Sequence, residues 1–253
     1  MIKTDKNPPG VLDGITAAVE WQLEAEDIAE LAARKSELEN AARQKAKPAQ
    51  FVFFAAFDGT NNDRQNLGRS GTRQVTNVAM LYEQAIGAAK PDPHQKNAYY
   101  AGVGTGDTGD TYGGFDAAST TPSPYIVRTA SLAYQQFIGE AEQWLKIDGH
   151  RAEDIRAAVT GFSRGAGTAI LFAKMLNDGL RPDGKPVLAG PATVLQVPVV
   201  ATLLFDPVFT GIYLDLRLPA NVLKNVVVLK ALDEFRCAFA AADFGDAPAI
   251  RTI

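Results

Sequence analysis

A serine lies between two glycines in the stretch VTGFSRGAGTAI, residues 159–170. The motif G-F-S-R-G, residues 161–165, follows an apolar segment at 155–160 that is typical of a buried strand, and it precedes a segment with helical character. A sharp turn between a strand and a helix lifts a serine hydroxyl above the edge of a sheet, where it is exposed for nucleophilic attack. The pattern therefore predicts that Ser163 performs acyl transfer through a covalent intermediate.

The two glycines of this motif have a steric role. Gly161 and Gly165 flank the strained turn at Ser163, and side chains at either position would collide with the turn. The backbone amide of Arg164 opens the following helix, where it is placed to donate to a developing oxyanion. This is the nucleophile elbow of α/β-hydrolases, and the alternative is a strand–helix turn chosen for packing alone.

A second oxyanion donor is predicted after the first strand, residues 51–57. This strand ends at Asp58-Gly59-Thr60, and the carboxyl ends of parallel strands share the edge at which ligands bind. The amides of Gly59 and Thr60 are candidate donors, because glycine lets the backbone come close to a substrate. The alternative is that Asp58 only caps a turn.

The acid of a catalytic triad has two candidates at the same edge. Asp206 ends the apolar strand 197–205, and Asp233 follows the strand 225–231. Either carboxylate could orient a histidine and stabilise its imidazolium. The general arrangement of α/β-hydrolases favours Asp233, whereas Asp206 lies directly at a strand end.

The two histidines of the sequence are badly placed for a base. The expected chain order is serine, acid, histidine, but His94 and His150 both precede Ser163. Each comes just before a predicted strand, 98–103 and 155–160, so each belongs at the amino-terminal edge of a parallel sheet. A strand of six residues spans roughly 20 Å, which predicts that neither histidine reaches the serine.

The elements around these residues alternate between strand and helix. Near-continuous apolar strands favour a mostly parallel α/β sheet with helices on both faces, of the α/β-hydrolase type. An Ala-, Glu-, Lys- and Leu-rich segment at 14–46 predicts an N-terminal helical arm, either one long helix or a helical hairpin. It would pack against the main domain or serve as a docking segment for a partner or a chaperone. The expected domains are this extension, 1–47, and a catalytic domain, 48–253. Further helices are predicted at 72–88 and 125–147, and a candidate lid loop at 104–124.

Composition excludes several classes of protein. A net charge of −4 gives no general attraction to nucleic acid, and a single cysteine, Cys237, excludes disulfide frameworks and cysteine-based zinc sites. No apolar run of 18 residues and no apolar N-terminal leader is present, so we expect cytoplasmic synthesis and a dedicated export route. We expect no cofactor and no metal, since the loop carboxylates do not have the spacing of a calcium loop. These are Asp107, Asp110 and Asp116.

Five blocks resemble a known family: FAAFDGTNND, YYAGVGTG, VTGFSRGAGTA, LLFDPV and ALDEFRCAF, between Phe51 and Phe239. They are similar to type VI secretion phospholipase effectors of the Tle1 type, whose catalytic domain is the DUF2235 α/β-hydrolase domain. The resemblance implies that Ser163 is the nucleophile and Asp206 the triad acid. Asp233 then belongs to the A-L-D-E-x-R segment of the family.

The resemblance also implies a function. It indicates a lipolytic serine hydrolase that cleaves acyl esters of glycerophospholipids and serves as an exported antibacterial effector. Its partners would be a phospholipid membrane surface as substrate, an immunity protein and a component of the secretion machinery, with no nucleic acid. The family's catalytic histidine follows in a later block, so we expect this sequence to lack a C-terminal part. The alternative is an inactive homologue that acts as an interaction module.

Overall fold

The computed structural model describes twelve parts of the chain, and the first two fall in the N-terminal unit. The chain divides into two units, Met1–Pro48 and Ala49–Ile253. In the first unit the described residues have helical backbone, and the rest of the predicted N-terminal helix lies outside the described residues. So do Asp107, Asp110, Asp116, Asp233, Cys237 and most of the predicted lid loop. The described residues are 29, 33–35, 50–67, 75–88, 92, 94–106, 123–178, 196–209, 211–212, 214–222, 225–230 and 250–252.

Up to its fourth strand, the second unit alternates strands with helices, as the sequence predicts. Apolar and β-branched runs form most of the strands, and segments with helical spacing form the helices between them. In chain order the elements are β1 (Phe51–Phe57), α1 (Asn77–Ala88), β2 (Gln95–Tyr100), α2 (Ser123–Leu145), β3 (Ile155–Phe162), α3 (Arg164–Asp178), β4 (Val199–Phe205), β5 (Val226–Leu229) and β6 (Ile250–Thr252).

The strands form one sheet in the order β2-β1-β3-β4-β5-β6. Every neighbouring pair is parallel. The predicted parallel α/β sheet is thereby confirmed. β6 was not expected from the sequence, because three residues are too few to carry a periodic signal.

Helices cover both faces of the sheet. The connection from β1 to β2 runs in one direction across the sheet, and those from β2 to β3 and from β3 to β4 run in the other. Since such crossovers are right-handed, α1 lies on one face and α2 and α3 lie on the opposite face. The core between β1, α2 and α3 is aromatic: the ring of Phe53 lies 5.6 Å from that of Phe137 and 6.1 Å from that of Phe172.

Two boundaries differ from the sequence-based expectation. β2 ends at Tyr100 rather than near residue 103, because the amide of Gly102 donates to the carbonyl of Asn62 at 2.9 Å and draws the chain out of the sheet. α1 begins only at Asn77, because the hydroxyl of Thr76 accepts a hydrogen bond from the amide of Ala79 at 3.1 Å and caps the helix.

The first turn of α3 packs directly on the carboxyl end of β1. A Cβ atom at Gly165 would lie 2.5 Å from the carbonyl oxygen of Phe57 and would overlap the carbonyl of Asp58. Only glycine permits this approach of helix to strand. Among the described residues, no helix is long and apolar enough to cross a membrane.

This contact predicts opposite effects for two glycine-to-alanine substitutions within helices. We expect Gly165→Ala to lower the free energy of unfolding by about 2–3 kcal/mol, because its methyl group meets fixed backbone. Gly139→Ala, in α2, places its methyl group in open space and should raise stability by about 0.5–1 kcal/mol. Urea unfolding of both variants measures the difference, and equal effects would contradict the packing described.

Candidate active site

The candidate site lies at the carboxyl edge of the sheet, at the boundary between β1 and β3. Connections leave β1 and β3 in opposite directions at this switch point, which is where open parallel sheets bind ligands. Phe57 of β1 pairs with Gly161 of β3, and Phe162 of β3 pairs with Phe205 of β4. The register thus brings to one edge the residues that follow three neighbouring strands: Asp58, Ser163 and Asp206.

Ser163 has the backbone conformation expected of a nucleophile elbow. Its φ is +52°, in the left-handed region that non-glycine residues rarely adopt. Its amide donates to the carbonyl of Phe205 at 2.9 Å, and its carbonyl accepts from the amides of Ala166 and Val208 at 3.0 and 3.3 Å. These hydrogen bonds stabilise the positive φ of Ser163, a conformation that costs on the order of 1–3 kcal/mol. The side chain of Ser163 is partly exposed.

The glycines of the motif are required for the reason that the sequence suggested. A Cβ atom at Gly161 would lie 2.6 Å from the carbonyl oxygen of Gly165, inside the elbow itself. Gly165 in turn lies against the backbone of β1. Because both obstacles are backbone atoms, neither position has room for a larger residue.

The carboxylate of Asp58 is buried within the 58–60 turn, where it is only 2% exposed. One oxygen accepts from the amide of Gly59 at 2.8 Å, and the other accepts from the hydroxyls of Thr76 and Tyr99 at 2.8 and 2.6 Å. Burial raises the pKa of Asp58, and the three donors oppose that shift. The carboxylate therefore organises this turn.

The two candidate amides of this turn are not equivalent. The amide of Gly59 is engaged by the Asp58 carboxylate, which removes it from the expected oxyanion role. Among the described residues, none accepts a hydrogen bond from the amide of Thr60. Gly59 is needed for a different reason, because a Cβ atom there would meet the ring of Phe162, 2.8 Å from Cε1.

The side chain of Arg164 links this turn to the elbow. It is only 4% exposed, and its Nε donates to the hydroxyl oxygen of Thr60 at 2.7 Å. Burial lowers the pKa of the Arg164 guanidinium. The sequence analysis predicted a role only for the amide of Arg164, because no local pattern records that its side chain meets Thr60.

Asp206 stands beside the nucleophile at the end of β4. Neighbouring strands lie about 4.8 Å apart, and the β3–β4 register sets Asp206 level with Ser163. Its φ is +40°, and its amide donates to the carbonyl of Leu229 at 2.6 Å. Of the two candidate acids, Asp206 is the one that the structure describes.

The histidines lie at the opposite edge of the sheet. The carbonyl of His94 accepts from the amide of Val52 at the start of β1, at 2.8 Å. The ring of His150 stacks on Trp144 at 4.0 Å and lies 5.7 Å from the ring of His94. The strands between this edge and Ser163 span about 20 Å, so neither imidazole reaches the serine hydroxyl.

In the part of the chain that the structure describes, no group of three or more histidine, cysteine, aspartate or glutamate residues could hold a metal ion. The described groups at this edge include a hydroxyl, a carboxylate, backbone amides and a buried guanidinium.

A parallel sheet with a serine in a strand–helix elbow at its switch point defines a chain of the α/β-hydrolase type. Residues 52–185 match the family described as "T6SS, Phospholipase effector Tle1-like, catalytic domain". This match covers more than half of the sequence, and the chain belongs to that family. The resemblance noted in the sequence is thereby confirmed.

Two solved structures are similar to the chain. One is an uncharacterized protein from Pseudomonas aeruginosa, 19% identical, with a TM-score of 0.50 over 88% of this chain and 41% of that one. The other is the Tle1 effector bound to the VgrG spike of the Type 6 secretion system, 17% identical, with a TM-score of 0.46 over 83% of this chain and 50% of that one. The chain thus spans half or less of either protein. No curated protein matches it at a significant level.

Burial predicts that two aspartates with similar numbers of partners contribute very differently to stability. Asp58→Ala leaves a buried amide and two hydroxyls without their acceptor, and we expect a loss of about 2–4 kcal/mol in unfolding free energy. Asp215 contacts Lys174 and Arg217 at 3.0 Å, but its side chain is 52% exposed. Asp215→Ala should leave the urea midpoint nearly unchanged. A similar loss in both variants would show that burial does not set the contribution of Asp58.

Proposed function

We propose that this chain carries the nucleophile, the acid and the oxyanion donors of a serine hydrolase that cleaves acyl esters of glycerophospholipids, as a phospholipase A does. One observation carries the proposal: the positive φ of Ser163 in an elbow where Gly161 and Gly165 meet backbone. A packing turn does not need a strained serine, whereas an exposed nucleophile does.

The proposed reaction has two steps. The hydroxyl oxygen of Ser163 attacks the acyl carbonyl while a base takes its proton, and the tetrahedral oxyanion accepts hydrogen bonds from the amides of Arg164 and Thr60. Collapse expels the glycerol oxygen, which is protonated by the conjugate acid of that base. Water then attacks the acyl-serine by the same route and releases a fatty acid.

The base is the component that neither histidine of this sequence supplies. Asp206 would orient an imidazole beside Ser163 and stabilise its protonated form. β6 is parallel to β5, so any segment that followed Thr252 would emerge at the edge that carries Ser163. We therefore propose that a histidine outside the 253 residues supplies the base to the catalytic domain, 48–253.

The substrate class and the biological setting rest on the family. Membership in a family of type VI secretion phospholipase effectors supports a phospholipid membrane surface as substrate. It also supports export into target cells, an antibacterial role, a secretion-machinery component as partner and an immunity protein. Residues 1–47 would be a helical extension of the catalytic domain.

A second candidate function is an inactive homologue that serves as an interaction module. The position of His94 and His150 at the far edge of the sheet favours it, because an elbow without a base has little activity. The two functions differ in one measurable property, the reactivity of Ser163 when a base is supplied.

A fluorophosphonate probe with and without added imidazole separates the two functions. Free imidazole can replace a missing histidine side chain, so we expect slow labelling of Ser163 alone and labelling at least about tenfold faster with imidazole. Peptide mass spectrometry locates the label. Ser163→Ala should abolish it, and Ser131→Ala, a buried serine of α2, should retain it.

The outcomes are exclusive. Label on Ser163 that depends on imidazole supports the hydrolase. A folded chain, verified by circular dichroism, that takes no label at Ser163 under either condition would overturn it in favour of the interaction module.

The same assay distinguishes the two candidate acids. If Asp206 orients the imidazole, Asp206→Asn should reduce the imidazole-dependent labelling rate by at least about tenfold, because the carboxylate no longer stabilises the imidazolium. Asp233→Asn is the matched control and should label like the wild type. The reverse result would move the acid to Asp233.

A further inference from the structure

We propose that Tyr99 is a positioning residue, whose hydroxyl fixes the 58–60 turn through Asp58 so that the amide of Thr60 faces the reacting carbonyl. This inference rests on the proposed function and adds to it a residue on β2 whose hydroxyl is bonded to Asp58 and Arg64. It gives a structural role to the buried carboxylate of Asp58, which takes no part in the proposed reaction steps.

One hydroxyl group closes the loop that contains the turn. The hydroxyl of Tyr99 donates to the carboxylate of Asp58 at 2.6 Å and accepts from the amide of Arg64 at 3.0 Å. Asp58 and Arg64 are the two ends of the segment that includes Thr60. Because both ends are bonded to the same oxygen atom, the segment between them has little freedom to shift.

Neighbouring groups hold this hydroxyl in place. The guanidinium of Arg64 lies 4.7 Å from the centre of the Tyr82 ring and 5.3 Å from that of Tyr99, and the two rings lie 5.6 Å apart. The hydroxyl of Thr76, which caps α1, donates to the same carboxylate oxygen as Tyr99. Burial and the adjacent carboxylate raise the pKa of Tyr99, so it stays a protonated donor.

The 58–60 turn is connected to the elbow by hydrogen bonds. Asp58 holds the amide of Gly59 through its second oxygen, and the hydroxyl oxygen of Thr60 accepts the hydrogen bond from Arg164. A displacement of the turn would therefore move the amide of Thr60 relative to Ser163. Oxyanion donors act only when they lie about 2.7–3.1 Å from the developing charge, so a small shift weakens catalysis.

Two neighbouring tyrosines of β2 give a matched test. Tyr99→Phe removes the hydroxyl that closes the loop, whereas Tyr100→Phe removes a hydroxyl that donates to Gln136 in an exposed contact, at 2.8 Å. Both variants keep the aromatic ring. We expect fluorophosphonate labelling of Ser163 with imidazole to slow at least about tenfold in Tyr99→Phe and to stay within about twofold of wild type in Tyr100→Phe.

The kinetic form of the effect separates positioning from general destabilisation. Labelling measured against probe concentration gives an apparent binding constant and a maximal rate. Donors to the oxyanion act in the transition state, so Tyr99→Phe should lower the maximal rate and leave the binding constant unchanged. The melting temperature of each variant shows whether it is folded at the assay temperature.

A second variant keeps the test decisive if Tyr99→Phe folds poorly. Asp58→Asn retains the size of the side chain and removes the charge that faces Tyr99, and it should show the same loss of maximal rate. In the double variant the two effects should not add fully, because both substitutions break the hydrogen bond between Tyr99 and Asp58. Additive losses would overturn the shared role.

The remaining outcomes are distinguishable from a failure of the proposed function. A wild-type chain that takes no label with imidazole overturns the hydrolase and the positioning role together. A labelled wild type with a Tyr99→Phe variant that labels equally fast overturns the positioning role alone. So does a variant in which only the binding constant changes.

Discussion

The close contact between the first turn of α3 and the carboxyl end of β1 is the constraint on which the candidate site depends. With a hydrogen atom at Gly165, the helix comes within van der Waals reach of the carbonyls that end β1. This approach places the start of α3, with its positive end of the helix dipole, beside the turn that follows β1. At this separation the Arg164 side chain donates a hydrogen bond to the hydroxyl of Thr60.

The strain in the elbow is maintained by backbone bonds on all sides. Ser163 remains bonded to β4 through Phe205 and to the following segment through Val208, so a relaxed φ would break several hydrogen bonds at once. Asp206, at the end of the next strand, also has a positive φ. Two such residues side by side turn the chain sharply out of the sheet at the level where a substrate would lie, as strained residues at functional sites commonly do.

The sequence predicted the parts of this arrangement that depend on local pattern. Apolar periodicity predicted the strand before Ser163 and the turn formed by its two flanking glycines. The polarity of parallel strands predicted that His94 and His150 both lie at the edge of the sheet opposite to Ser163. Contacts between distant segments were not predictable, because no local pattern records which side chains meet. Three features depend on such contacts: the hydrogen-bond partners of Asp58, the end of β2 at Tyr100, and the additional strand β6.

Strand polarity also determines where a catalytic base has to come from. In a parallel sheet, a residue just before a strand and a residue just after one are separated by the whole strand, whatever the order of the strands. His150 precedes β3 and Ser163 follows it, so no rearrangement of loops short of unfolding β3 brings them together. A base for Ser163 must follow a strand or come from a segment that crosses this edge. Asp206 follows β4 and stands level with the serine, so in the proposed reaction the imidazole would approach from the carboxyl edge of the sheet.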